Sequence, residues 1–194
     1  MKKRVFIIHG WGGIANEGWL GWLKQELELV GYLVFAPQMP NTNEPKIKTW
    51  VDAIAESVGS VDNNTFFVGH SIGCQAIIRY LSQLSDQEAS GGVVFVAGFF
   101  KRLIMTDFDD KSKEITKEWL NTVINFDSAK QHIAKSLAIF SDNDPYVSID
   151  NEDDFKNILG SQIIIEHEQG HFSSSSGLPR YPSVLKNIKD FIGN

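Results

Sequence analysis

The chain has 194 residues, 42% of them hydrophobic, which is enough for one domain with a sizeable core. Its formal charge of −6, from 18 Lys and Arg against 24 Asp and Glu, argues against a nucleic-acid or membrane-surface binder that works through bulk charge, and the single Cys74 excludes an internal disulfide. The basic start at residues 2–4 is followed by an apolar run that ends at His9, too short for the core of a secretion signal; no run can span a membrane, so the expected location is cytoplasmic.

Residues 4–9 are a β-branched and aromatic run that enters His9-Gly10-Trp11-Gly12-Gly13, a first strand leading into a glycine-rich loop. That loop lacks the spacing of a dinucleotide site and the Gly-Lys-Ser/Thr ending of a phosphate loop. Asn16 is the expected cap of a helix to about Val30, with Trp19, Leu20, Leu23 and Leu27 at helical spacing and Gly31 as its stop. A second strand over 32–36, a loop with three prolines over 37–45 and a helix over 46–58 follow. The third strand ends in Gly69-His70-Ser71-Ile72-Gly73, after which 75–84 reads as helix.

Residues 91–98 are apolar on both faces, as a central parallel strand should be. The more polar 99–133 reads as a cap-like excursion with a helix near 115–124. Its Asp107, Asp109 and Asp110 lack the glycine and terminal glutamate of an EF-hand and read as a solvated acidic loop. Ser136–Ser141 is the fifth strand and runs into Asp142-Asn143-Asp144-Pro145. Residues 162–167 are the sixth, followed by Glu168-Gln169-Gly170-His171-Phe172, a serine-rich loop at 173–176 and a last helix over 181–192. Strands separated by helices predict an α/β fold: a three-layer α/β/α sandwich, with about six mostly or wholly parallel strands in one domain.

A short apolar strand breaking into Gly-x-Ser-x-Gly and then helix is the pattern of a nucleophile elbow, in which a tight strand-to-helix turn lifts the serine above the sheet edge. Ser71, Asp144 and His171 follow in the order nucleophile, acid, base, each on a loop after a strand of one sheet, so all three can meet at its carboxyl edge. Serine is a poor nucleophile at neutral pH; His171 would take its proton, Asp144 would fix the imidazole's tautomer, and the backbone N–H groups of Trp11 and Ile72 would form the oxyanion hole. Asp142 competes with Asp144 for the acid's place, and His167 and His132 compete with His171; Asp144 has Pro145 beside it, and His171 lies on the loop after the last strand. His9 reads as structural, His70 as pointing away from the serine, and Cys74 as a small buried helix residue.

The segments Asn16-Glu17-Gly18-Trp19-Leu20-Gly21-Trp22-Leu23, Ala36-Pro37-Gln38-Met39-Pro40, Gly69-His70-Ser71-Ile72-Gly73, Asp144-Pro145 and Gly170-His171-Phe172 together resemble the small serine hydrolases related to retinoblastoma-binding protein 9, the YdeN-like family. The resemblance covers nearly the whole chain. It implies a shortened α/β-hydrolase fold with Ser71, Asp144 and His171 as catalytic residues; residues 99–133 depart from the family's pattern. The expected activity is hydrolysis of a small carboxylic ester, amide or thioester through an acyl-enzyme, with no cofactor and no metal. The alternative is a protein-binding module on a hydrolase scaffold, although the Leu-x-Cys-x-Glu docking sequence is absent around Cys74.

Overall fold

The computed structural model describes residues 2–173 and 180–193, so positions 174–176 of the serine-rich loop lie outside the described residues. Six strands, β1 (Arg4–Ile8), β2 (Leu33–Phe35), β3 (Thr65–His70), β4 (Gly92–Val96), β5 (Ser136–Ser141) and β6 (Gln162–Glu166), form one sheet in the order β2-β1-β3-β4-β5-β6. Every pairing is parallel. Helices cover both faces, which is why the central strands carry apolar side chains on both. Phe6, Ile8, Phe67, Val93, Phe95, Ala138 and Phe140 point into one core layer. Val5, Ile7, Val68, Val94, Val96, Leu137 and Ile139 point into the other.

The first layer is closed by α2 (Ile47–Val58) through Trp50, Val51, Ile54 and Val58, and by α3 (Ile72–Leu81), whose ten residues are all buried. The second is closed by α1 (Gly18–Leu29) and α7 (Pro182–Gly193), with Trp19, Leu20, Leu23 and Leu27 facing Val184, Leu185, Ile188 and Ile192. Chain direction reverses across the sheet between β1 and β3, so α1 and α3 leave adjacent strands toward opposite faces. In open parallel sheets a ligand crevice forms at such a point.

Three expectations differ from the structure. Asn16 does not cap α1: its backbone turns to φ 63, and Glu17 takes the cap position without a side-chain hydrogen bond. The excursion at 99–133 holds α4 (Asp110–Asn121), which begins before the expected 115, and a short α5 (Phe126–Gln131); both start at side-chain caps, Asp109 accepting from Ser112 N–H (2.7 Å) and Asn125 from Ser128 N–H (3.1 Å). A further helix, α6 (Glu152–Leu159), connects β5 and β6. Its acidic first turn suits the positive end of the helix dipole. It stops at Gly160 in the left-handed region (φ 69), where Gly160 N–H reaches Lys156 O, the 5→1 bond of an αL cap, and Ser161 N–H reaches Phe155 O.

The excursion is fastened to α3 by two buried polar side chains. Gln75 donates to Phe100 O (3.2 Å), and Arg79 donates to the carbonyls of Trp119 (3.2 Å), Thr122 (2.7 Å) and Val123 (3.1 Å). A guanidinium there meets the negative end of α4's dipole and satisfies carbonyls that have no helical partner. Burial lowers the Arg79 pKa to about 10, so it stays charged at neutral pH.

Phe155 of α6 sits on the first core layer with its ring 4.2 Å from that of Phe100, 5.1 Å from Phe95 and 5.4 Å from Phe140. Emptying this site loses the transfer energy and leaves a cavity between rigid rings. Phe155→Ala is expected to destabilise the fold by about 3–5 kcal/mol in urea titration; a loss below about 1 kcal/mol would show that α6 does not anchor this layer.

Candidate active site

Ser71 occupies the single-residue joint between β3 and α3, with φ 54 and ψ −125. A non-glycine residue reaches that region only at a cost of about 1–3 kcal/mol, which the surroundings must hold in place. They do so by contact. Ser71 N–H donates to Val96 O of the neighbouring strand (2.9 Å). A Cβ at Gly73 would come within 2.5 Å of Ile8 O and 2.6 Å of His9 O, and one at Gly69 would meet Ile77 Cδ1 at 2.8 Å and Cys74 Cα at 2.9 Å. The two glycines of the motif are therefore what lets α3 close onto β1 and β3.

The loops after β5 and β6 bring Asp144 and His171 to this serine. Ser71 Oγ lies 3.0 Å from His171 Nε2, and His171 Nδ1 lies 2.8 Å from Asp144 Oδ2. An ionised carboxylate only accepts, so Nδ1 carries the hydrogen and Nε2 is left to accept from the serine hydroxyl. The other oxygen of Asp144 accepts from Tyr146 N–H (2.9 Å) and Val147 N–H (3.0 Å), which fixes the carboxylate's orientation. The Asp144 side chain is 1% exposed and that of His171 12%.

Asp142 and His167 pair with each other instead, Nδ1 to Oδ2 at 2.5 Å, with side chains 39% and 78% exposed. This outer pair belongs to a row of contacts that joins the two loops. Asp142 Oδ1 accepts from Glu168 N–H (2.8 Å), Ser141 Oγ from Gln169 N–H (2.9 Å) and Asn143 Oδ1 from Gly170 N–H (2.7 Å), so the sequence Ser-Asp-Asn-Asp grips the histidine loop residue by residue. Nothing in the spacing of Ser141 and Asn143 signals this. His132 is distant in role as well as sequence: it is buried, with Nδ1 donating to Glu88 O (2.6 Å).

His9 accepts from Met39 N–H at Nε2 (3.1 Å) and donates from Nδ1 to Gly10 O (2.8 Å), tying the glycine-rich loop to the proline-rich one; burial lowers its pKa and keeps it neutral. The backbone N–H groups of Trp11 and Ile72 have no acceptor among the described residues. Cys74 is fully buried and burial pushes its thiol pKa up, so it is not a nucleophile at neutral pH. His70 lines the same cavity as Ser71, and its Nε2 lies 2.8 Å from His171 O.

Above Ser71 opens a cavity of about 480 Å³, floored by Gly10, Trp11, Ile72 and His171 and walled by Phe99, Leu103, Phe108 and Tyr146. Trp11 meets Phe108 edge to face at 6.0 Å, and Tyr146 meets the His171 ring at 5.2 Å. Asp107 and Asp109, read from sequence as part of a solvated loop, line the same cavity. That placement depends on how 99–133 folds over the sheet edge and has no local signature. Among the described residues no group of three or more His, Cys, Asp or Glu is placed to hold a metal ion, and no helix is long and apolar enough to cross a membrane.

Comparison with known proteins gives the same architecture and adds a family. The chain is 30% identical over 191 residues to YdeN of Bacillus subtilis (strain 168), covering 98% of this chain and 97% of that protein, and 21% identical over 185 residues to Serine hydrolase RBBP9 of Rattus norvegicus, covering 95% and 91%. The crystal structure of the B. subtilis ydeN gene product superposes with a TM-score of 0.88 at 26% identity over the whole of both chains. Est1E from Butyrivibrio proteoclasticus shares the fold at 14% identity, with a TM-score of 0.70 over 100% of this chain and 89% of that one. Residues 5–190 match the family described as Serine hydrolase; the chain belongs to that family and has the α/β-hydrolase fold.

Proposed function

We propose that this serine hydrolase cleaves small carboxylic esters through an acyl-enzyme on Ser71, with His171 as general base and Asp144 orienting it. The observation that carries the reading is the unbroken line from Ser71 Oγ to His171 Nε2 (3.0 Å) and from His171 Nδ1 to Asp144 Oδ2 (2.8 Å), under a cavity large enough for a small ester. As Ser71 Oγ bonds to the carbonyl carbon, its proton passes to His171 Nε2, and the oxygen that gains negative charge lies toward the unpaired N–H groups of Trp11 and Ile72. The tetrahedral species collapses, the C–O bond to the alcohol breaks, and the alcohol leaves with the proton from Nε2. Water then gives a proton to Nε2 as it attacks the acyl-enzyme, and Ser71 regains it when the acid departs. No step calls for a metal. An ester is the preferred substrate over an amide because its carbonyl is less stabilised by resonance and its leaving oxygen needs less protonation than an amide nitrogen before the bond breaks.

Asp144→Asn should lower kcat by about 10³–10⁴-fold on an activated ester with the fold intact, because Nδ1 loses its ionised acceptor and the tautomer is no longer fixed. Asp142→Asn should cost only a few-fold; if it proves the crippling change, the acid is misassigned. The outer pair should show in stability instead. The hydrogen bond that His167 donates to Asp142 raises the His167 pKa, and that contribution is full below the unfolded histidine value and lost as pH rises through the folded one. Asp142 is lowered first by Glu168 N–H and then by His167, and its contribution is lost as pH falls through the folded value. The difference in Tm between wild type and Asp142→Asn should therefore be largest between about pH 4 and 6.5 and shrink on both sides; a difference that is flat with pH contradicts the pairing.

A further inference from the structure

The loop that carries His171 is strained on both sides of it. Glu168, Gly170 and Phe172 all have positive φ (53, 58 and 48), and the two non-glycine residues would leave that region if nothing held them. The contacts from Ser141, Asp142 and Asn143 hold the loop only as far as Gly170. The tie to the main chain of His171 itself comes from the opposite direction, from the residue just before the nucleophile. His70 is the last residue of β3, and Nε2 of its buried ring lies 2.8 Å from His171 O. A carbonyl only accepts, so Nε2 carries the hydrogen. Burial, and after it the nearness of His171, lower the His70 pKa to about 3, so the ring is neutral and its donor fixed at any working pH.

The ring itself has little freedom. A Cβ on Gly10 would come within 3.0 Å of Nδ1, so the glycine-rich loop passes flush against one edge. Trp19 meets it edge to face at 5.7 Å; Trp19 is backed by Tyr181 at 5.5 Å, and Tyr181 by Phe172 at 5.2 Å. His70, Trp19, Tyr181 and Phe172 thus form a continuous line of ring contacts that ends on the residue after His171.

We propose that His70 is a positioning residue for the general base: its neutral imidazole is a fixed N–H donor that spans from the nucleophile's own strand to the carbonyl of His171 and holds His171 Nε2 in line with Ser71 Oγ. The inference rests on the proposed roles of Ser71 and His171. A neutral ring is also the form the reaction needs, since a second cation with its centroid 5.0 Å from the His171 ring would oppose the imidazolium formed during attack.

The test compares wild type, His70→Gln, His70→Asn and His70→Leu in steady-state hydrolysis of p-nitrophenyl acetate, with thermal unfolding of each. A glutamine amide can place its nitrogen near the position of Nε2; an asparagine amide is too short, and leucine has no donor. His70→Leu and His70→Asn are expected to lose about 10- to 100-fold in kcat with KM within about 3-fold, the scale of a misaligned catalytic group, and His70→Gln to recover most of that loss. If His70→Leu does not fold, the asparagine and glutamine variants carry the comparison. Folded His70→Asn or His70→Leu with wild-type kcat overturns the proposal, and so does a glutamine variant no better than asparagine, because the ring would then act by packing alone. An inactive wild type overturns the hydrolase reading itself, a result visible before any variant is measured.

Discussion

The site depends on one strained residue. Ser71 at φ 54 lets β3 turn into α3 within a single residue, and that joint exists because Gly69 and Gly73 leave no Cβ where Cys74, Ile77 and the carbonyls of Ile8 and His9 already sit. The same contacts press α3 against β1, so the geometry of the serine is set by the packing of the central strands and not by its own loop. Strain of about 1–3 kcal/mol at such a position persists only when neighbours leave no alternative. Ten buried residues of α3, fastened further by Gln75 and Arg79, supply that constraint.

His171 and Asp144 are held by a different means. They lie on loops, and loops hold position through specific hydrogen bonds where a packed face is missing. The row from Ser141 to Asp144 against His167 to His171 provides these on one side, and His70 on the other. Charge is distributed accordingly. Close to Ser71 the spare titratable groups, His9, His70 and Cys74, are buried and neutral, while the paired charges of Asp142 and His167 stand outward in solvent. His171 is thereby left with the Asp144 carboxylate in direct hydrogen-bond contact.

Much of this was legible in the sequence because the relevant signals are local. The strand Ser136–Ser141 begins and ends where its β-branched and apolar pattern does, and the parallel six-stranded sheet follows from strands alternating with helices. Ser71, Asp144 and His171 could be singled out because each lies just beyond a strand's carboxyl end, and the structure brings them within hydrogen-bonding distance. Asn16 misled because its residue type favours a cap while its backbone is committed to a turn. Helix α6 carries little sequence signal because three acidic residues open it and only Phe155 of its eight is buried, leaving a weak stripe; the better signal is Gly160 at its end. The contacts of Asn143, the strut from His70 and the placement of Asp107 and Asp109 in the cavity wall depend on segments far apart in sequence, and no pattern within either segment encodes them.

The central claim is that Ser71 is an activated nucleophile and not merely a serine in a tight turn. Reaction with a fluorophosphonate tests it directly, because only an activated serine forms the tetrahedral phosphonyl adduct at a useful rate. Intact-mass analysis should show one adduct per chain, peptide mapping should place it on Ser71, and Ser71→Ala should remain unlabelled. Folded wild-type protein that takes no label, or takes it at another residue, would contradict the account.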